Sequence, residues 1–285
     1  MPRVAGVLDR LEEPHPEEME DSFIKYSGEY AASRSDTNAF RLKGKREEDG
    51  YLTNTTFIID ADNMVKAAKA IGVTVTAYTV AALIVSVGRI QDEREPRLKH
   101  KRPLKIHVPV NLRKIFPSAT LRNFVLCATP GIDPKLGEYS FTQIAETVSH
   151  QMKLQITEQN MRSMITANVN SERNILIRIA PLFIKNIVMK MVFDAVGEKK
   201  CCFSFSNLGV VDMPEEFTSF VRRMDFVLGA QSASPYNTSA VTYDGKMYFN
   251  VIRNIKEPVL EREIHRTLRE LGIPHTVESN TRGEE

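Results

Sequence analysis

The sequence has 285 residues, 42% hydrophobic and 26% charged, which is typical of a globular protein with one large domain or two small ones. Its 38 basic and 36 acidic residues are well mixed, so the net charge of +2 leaves no electrostatic footprint for nucleic acid. The 3 cysteines show neither metal-ligand spacing nor a disulfide framework, and residues 1–20 have no apolar core flanked by basic residues, so we expect no signal peptide there. We therefore expect a cytoplasmic protein.

Residues 1–50 have weak hydrophobic periodicity, with Pro14, Pro16 and an acidic run from Glu17 to Asp21. We expect a linker-like connection rather than a packed layer, with a short helix near Glu17 to Tyr26. The main folded unit is expected to cover residues 51–285.

The first elements of that unit are indicated by composition and capping residues. We predict a strand from Tyr51 to Ile59, a helix capped by Asp60 and ended by Gly72, a buried helix from Val75 to Gln91, and a strand from Leu104 to Val110. Further on we predict a strand from Asn123 to Thr129 and a helix capped by Ser140.

The most apolar window, Ile175 to Val196, contains Pro181 and several polar residues, so it predicts a buried or pocket-lining helix rather than a membrane span. Strands are predicted over Lys200 to Ser206 and Met224 to Leu228. Asp244-Gly245 between two alternating runs indicates a hairpin. A helix from Glu257 to Leu271 and a strand from Ile273 to Ser279 complete an α+β fold: a mixed, largely antiparallel β-sheet with packed helices.

No nucleophile elbow, phosphate loop, dinucleotide fingerprint or metal-ligand motif occurs in the sequence. We therefore predict no metal and no permanently bound cofactor. Cys201 and Cys202 are interpreted as small core hydrophobes, with a reactive thiol as the less favoured alternative.

Three stretches are more specific: Pro109-Val-Asn-Leu-Arg113 with Asn123, Ser206-Asn-Leu-Gly209, and Asp225-Phe-Val-Leu-Gly229. Together they resemble the chloramphenicol-acetyltransferase-like superfamily, which includes condensation domains, and most closely its bacterial alcohol-acetyltransferase-like members. Val227 and Arg122 depart from the family pattern, since both stand where relatives have glycine.

The resemblance implies one subdomain of a two-subdomain fold with a tunnel between the halves. It implies a structural motif of Arg113, Asn123, Asp225 and Gly229, and a tunnel side at Ser206 and Asn207. The implied activity is transfer of an acyl group from acyl-CoA, as co-substrate, to an alcohol.

In the family, a His-x-x-x-Asp motif supplies the catalytic base. None of the 6 histidines has aspartate four positions on, so we assign no catalytic residue. We expect the C-terminal half only, from a split gene, a truncated gene or a short gene model, inactive alone. Its expected partner is an upstream N-terminal half or a second copy. The alternative is a non-catalytic binding or interaction module that keeps the fold.

Two interpretations follow from the residues themselves. Arg113 at a strand end and Asp225 beside apolar residues are expected to form a semi-buried ion pair. Ser206 and Asn207 are interpreted either as donors to a developing oxyanion or as polar side chains that satisfy a strand end.

Overall fold

The computed structural model describes residues 13, 15–32, 37–173, 181–192, 198–229 and 234–281. Its strands are β1 Thr53–Asp60, β2 Leu104–Asn111, β3 Val125–Ala128, β4 Gly131–Ile132, β5 Phe203–Val210, β6 Tyr236–Tyr243, β7 Lys246–Arg253 and β8 His275–Ser279. Its helices are α1 Ser22–Tyr26, α2 Ala61–Ala70, α3 Val75–Arg94, α4 Phe141–Gln155, α5 Glu158–Arg173, α6 Leu182–Val192, α7 Glu215–Thr218 and α8 Val259–Glu270.

The strands form one sheet of eight in the order β3-β2-β5-β6-β7-β1-β8, with β4 paired to β2 outside that path. Five of the strand pairings are antiparallel. The two parallel pairings join β5 to β2 and to β6. The predicted α+β fold with a mixed, largely antiparallel sheet is confirmed.

The β6–β7 hairpin also confirms its sequence signal. Asp244 and Gly245 have φ of 47° and 69°, the positive values that a tight two-residue turn requires at both central positions. The register then runs without interruption from Tyr243↔Lys246 to Tyr236↔Arg253.

Helix α3 lies at the centre of the main core, as its apolar sequence predicted. Thr74 caps it by accepting a hydrogen bond from the Ala77 amide at 3.1 Å. Twelve of its 20 residues are buried. It packs against α4, α8 and β2, so the helices cover one face of the sheet.

Helix α6 differs from the prediction. The described side chains of this apolar helix are exposed rather than buried: Leu182, Phe183, Ile187 and Met191 show 60–76% of their surface. Residues 175–180 and 193–196 of the predicted window lie outside the described residues. In the described part of the chain no single helix is long and apolar enough to cross a membrane, and α2 with α3 passes that test only as a pair bent by 85°.

Helix α1 of the N-terminal segment is packed, whereas a connection without a packed layer was expected. The ring centroid of Phe23 lies 5.2 Å from that of Phe124, and the centroid of Tyr26 lies 5.0 Å from that of Phe116. These rings join a second hydrophobic core on α5, which sequence analysis did not predict. Its apolar residues Met161, Ile165 and Val169 recur every four positions, and that spacing was the available signal.

A buried ion pair joins the sheet to α8. Arg253, 2% exposed, donates from Nη1 to Glu261 Oε1 at 2.7 Å and from Nε to the Ile255 carbonyl at 2.9 Å. Burial raises the pKa of the Glu261 carboxyl, although the Arg253 charge opposes that shift. The pair therefore holds α8 in place only while both partners are present.

We expect Arg253→Met to cost about 3–5 kcal/mol of unfolding free energy, because it leaves the Glu261 carboxyl buried without its cation. Urea denaturation measures this. Glu158→Gln, which removes the exposed pair with Arg162, is the control and should cost about 0.5 kcal/mol or less. Equal losses in the two variants would contradict a buried, coupled pair. Arg253→Met/Glu261→Leu should be more stable than Arg253→Met.

Candidate functional site

A row of polar side chains crosses the face of the sheet opposite to α3. The register places Ser206 of β5 beside Ser239 of β6, Ser239 beside Asn250 of β7, and Asn250 beside Thr56 of β1. The Thr56 hydroxyl donates to Asn250 Oδ1 at 2.7 Å. Ser239 and Asn250 are fully buried, whereas Ser206 at the end of the row is only partly covered.

The crossover from β5 to β6 covers this polar row. The Phe226 carbonyl accepts hydrogen bonds from Ser239 Oγ and from Asn250 Nδ2, and the Gly229 carbonyl accepts one from Asn237 Nδ2 at 2.6 Å. The strand predicted over Met224 to Leu228 is therefore wrong: this backbone bonds to polar side chains of the sheet and not to a neighbouring strand.

Sequence analysis missed the residues that hold the crossover. They alternate along their strands, as one face of a sheet requires, but Asn237 and Ser239 lie in a β6 buried on both faces. Alternating polar residues inside an otherwise buried strand were the available signal.

Ser206 and Asn207 face opposite sides of β5, because neighbouring residues of a strand alternate. Asn207 points toward the helix layer, where its Nδ2 donates to Thr76 Oγ1 at 3.1 Å. Its Oδ1 accepts from the Gly209 amide at 2.9 Å. Ser206 lies on the polar row, and its hydroxyl has no hydrogen-bond partner among the described residues. The two cannot serve one oxyanion together. The role of each toward substrate stays a prediction.

The two motif glycines have different backbone requirements. Gly209 has φ +85°, in the region that side-chain-bearing residues avoid, and it lies within the register shift between Asn207 and Val210 that interrupts the pairing of β5 with β6. A Cβ on Gly229 would meet no atom within 4 Å, and no positive φ applies there. Of the two glycines, only Gly209 has a backbone conformation that requires glycine.

Asp225 pairs with Arg223, and the predicted Arg113–Asp225 ion pair is wrong. The Arg223 guanidinium bonds Asp225 and Glu278 of β8, each at 2.5 Å, and lies 5.0 Å from the centre of the Tyr248 ring. These two carboxylates raise the pKa of Arg223 further above its usual range. Asp225 thus fixes an arginine that clamps the crossover to the sheet edge.

Arg113 instead organises the loop between β2 and β3. Its Nη2 donates to the carbonyls of Thr120 at 2.7 Å and Arg122 at 2.6 Å, and its Nε donates to Thr120 at 3.1 Å. The Thr120 hydroxyl in turn donates to the Glu20 carbonyl at 2.6 Å. Asn123 lies in the same loop with its side chain exposed. Arg113 therefore has a different structural role from Asp225: through Thr120 it attaches the N-terminal segment to the loop between β2 and β3.

Among the histidines, His107 lies on the same face of the sheet as Ser206. It pairs in register with Ser204, two residues before Ser206 on β5. His150 is exposed on α4, and His265 and His275 bond each other at 2.8 Å.

The thiols are unsuited to nucleophilic catalysis. Cys201 and Cys202 are 4% and 2% exposed, which confirms their interpretation as core residues. Burial raises the pKa of the Cys202 thiol to about 12 and that of Cys127 to about 11, so both stay protonated at neutral pH. Within the described residues no group of three or more His, Cys, Asp or Glu is placed to hold a metal ion.

No protein-family model and no curated protein matches this sequence. Solved structures do match. A trichothecene 15-O-acetyltransferase from Fusarium sporotrichioides superimposes with a TM-score of 0.54 at 12% identity, over 81% of this chain and 48% of that enzyme. A nonribosomal peptide synthetase gives 0.54 at 12% identity, over 83% and 24%. The epimerization domain of the third module of tyrocidine synthetase B gives 0.50 at 13%, over 90% and 56%.

The chain therefore has the α+β fold of these three structures, and the predicted resemblance is confirmed at the level of the fold. It spans about half the length of the acetyltransferase.

Replacing the two motif glycines tests the backbone assignment. Gly209→Ala should lower the unfolding free energy by about 1–2 kcal/mol, because alanine is strained at positive φ. Gly229→Ala, the matched control from the neighbouring motif, should change it by about 0.5 kcal/mol or less. Chemical denaturation of the two variants measures both changes in unfolding free energy. A larger loss for Gly229→Ala would show that the motif glycines are assigned the wrong way round.

A double-mutant cycle tests the corrected partners of Arg113 and Asp225. Arg113→Met should cost about 2 kcal/mol, because it removes charge-assisted bonds to two carbonyls. Asp225→Asn should cost about 1 kcal/mol or less, because its pair with Arg223 is partly exposed. The two losses should add within about 0.5 kcal/mol, as for residues that do not touch. A larger coupling energy would restore the direct pair.

Proposed function

We propose that this chain is the C-terminal half of an acyl-CoA-dependent O-acyltransferase, related to alcohol acetyltransferases. The observation that carries the proposal is the fold: it is shared with an acetyltransferase of which the chain spans 48%. Acyl-CoA is the proposed co-substrate, and an alcohol the proposed acceptor. The cytoplasm is the proposed compartment, which the free cysteines favour.

The residues of the polar face indicate which part of the reaction site this chain would supply. Acyl transfer to an alcohol needs a base that takes the hydroxyl proton, and the chain has no His-x-x-x-Asp motif to supply it. Ser206, half-buried at the open end of the polar row, can donate to the oxyanion that develops on the thioester carbonyl. In this proposal the chain supplies one wall of the reaction site, and a segment carrying the base supplies the other.

Exposed apolar side chains support a partner. Leu182, Phe183 and Met191 on α6 are 67–76% exposed, and Phe220 near the crossover is 82% exposed. Large apolar side chains gathered on one helix in water favour association. The proposed occupant is the complementary acyltransferase half, on the same polypeptide or on another, and self-association is the substitute when that half is absent.

The second candidate is a non-catalytic binding module. Two observations favour it: no histidine of the sequence has aspartate four positions on, and the crossover covers much of the polar row. Here the fold persists as a scaffold, and the exposed helix α6 serves only to bind another protein.

Thioester consumption distinguishes the two candidates. Acetyl-CoA with a panel of alcohols should give no free coenzyme A above background with this chain alone, and should give it once the polypeptide encoded immediately upstream is added. Ser206→Ala in the reconstituted enzyme should lower kcat by about 10²-fold or more, as loss of one oxyanion donor does. Thr218→Ala, an exposed hydroxyl on α7, is the control and should leave kcat unchanged.

Two results would contradict the proposal. Turnover by this chain alone that His107→Ala abolishes would show that the base is present on the polar face. Association with the upstream polypeptide without any turnover would favour the binding module.

A further inference from the structure

A basic hollow lies at the C-terminal end of α3, remote from the polar face. Its volume is about 660 Å³, and six of the nine residues that line it are lysine or arginine. A second hollow of about 500 Å³ adjoins it and shares Glu95 and Arg102 with it. The chain as a whole has 38 basic and 36 acidic residues, so this concentration of positive charge is local.

The loop that carries these cations is held by hydrogen bonds. Gln91, which is fully buried, donates from Nε2 to the Arg102 carbonyl at 3.1 Å. The turn before it is closed by the Lys101 amide on the Leu98 carbonyl, also at 3.1 Å. The cations therefore project from a defined backbone.

Two of the cations are already committed. Lys101 pairs with Asp92, and Arg94 donates to the Lys43 carbonyl at 2.8 Å. The free carbonyls at the C-terminal end of α3 stabilise nearby positive charge, and this explains why Arg94 and Lys101 are found there.

Six further cations have no acidic partner or hydrogen bond through their side chains in the part of the chain that the structure describes. They are Arg97, Lys99, Arg102 and Lys135 in the first hollow and Lys43 and Lys199 in the second. Unpaired like charges repel one another, so their grouping is stabilised when an anion enters.

Glu95 adds a second requirement. It lies where the two hollows meet, and its buried Oε2 has no hydrogen-bond donor among the described residues. A carboxylate oxygen in that state is satisfied by a hydroxyl or amine. The combination of free cations with one unsatisfied acceptor selects an anion that also carries a donor group.

We propose that these hollows bind a small ligand with two or more phosphate groups and a hydroxyl or amine that donates to Glu95. The combined volume suits a metabolite, and cations with few apolar neighbours recognise phosphate rather than a hydrocarbon surface. Because α3 has 20 residues, the site lies about 30 Å from Thr76 at the other end of the helix. It is thus separate from the proposed acyl-transfer face.

Calorimetric titration with ADP and with pyrophosphate tests the proposal at physiological salt. Arg97→Gln/Lys99→Gln/Lys135→Gln should weaken both ligands by about tenfold or more, because each cation contributes a charge-assisted contact. The control, Lys66→Gln/Lys69→Gln/Lys153→Gln, changes the net charge equally on exposed helical positions and should leave affinity within about twofold of the parent. Unchanged circular dichroism in both triple variants shows that folding is intact.

Glu95→Gln separates charge from donor recognition. The parent should prefer ADP to pyrophosphate, since only ADP offers hydroxyls and an amine, and the variant should lose that preference. Equal weakening in the two triple variants, or absence of binding by the parent, would overturn the phosphate site. Binding of an RNA oligonucleotide without binding of ADP would overturn the small-ligand proposal. A preference for ADP that persists in Glu95→Gln would overturn the role of Glu95.

Discussion

Burial of α3 is the constraint on which the rest of the fold depends. The helix is apolar nearly all round, so one layer cannot cover it, and it needs the sheet on one side with α4 and α8 on the others. Two of its buried hydroxyls are satisfied within the helix: Thr79 donates to the Val75 carbonyl at 2.9 Å, and Ser86 donates to the Ala82 carbonyl at 2.8 Å. Ser86 also lies 3.0 Å from the Thr267 hydroxyl of α8. The buried Arg253–Glu261 pair then attaches α8 to the same assembly.

The two faces of the sheet consequently have different roles. The α3 face is an apolar core, and its integrity is a matter of packing. The opposite face is held by directional contacts, in which Asn237, Ser239 and Asn250 bond the crossover backbone. Polar contacts of this kind specify one geometry more narrowly than apolar packing does.

Local signals in the sequence predicted much of this architecture and little of the site. The hairpin at Asp244-Gly245 and the cap at Asp60 depend on neighbours in the chain, so both were predicted correctly. The predicted pair of Asp225 with Arg113 was wrong, because pairing across the fold has no local signature in the sequence. Asp225 instead binds Arg223, which lies two residues before it in the chain. The polar row was missed because its members come from four strands, and only the register brings them together.

The position of β1 in the sheet has a consequence for biosynthesis. Its partners are β7 and β8, with Thr53 opposite Arg253 and Thr55 opposite Ser279. The β6–β7 hairpin can close within about 1–10 μs once it is made, but β1 must wait until nearly all of the chain has left the ribosome. During that interval α3 has no complete sheet to cover its apolar surface. The strand order alone therefore leaves α3 exposed for longer during synthesis than a sheet built from sequence-adjacent strands would.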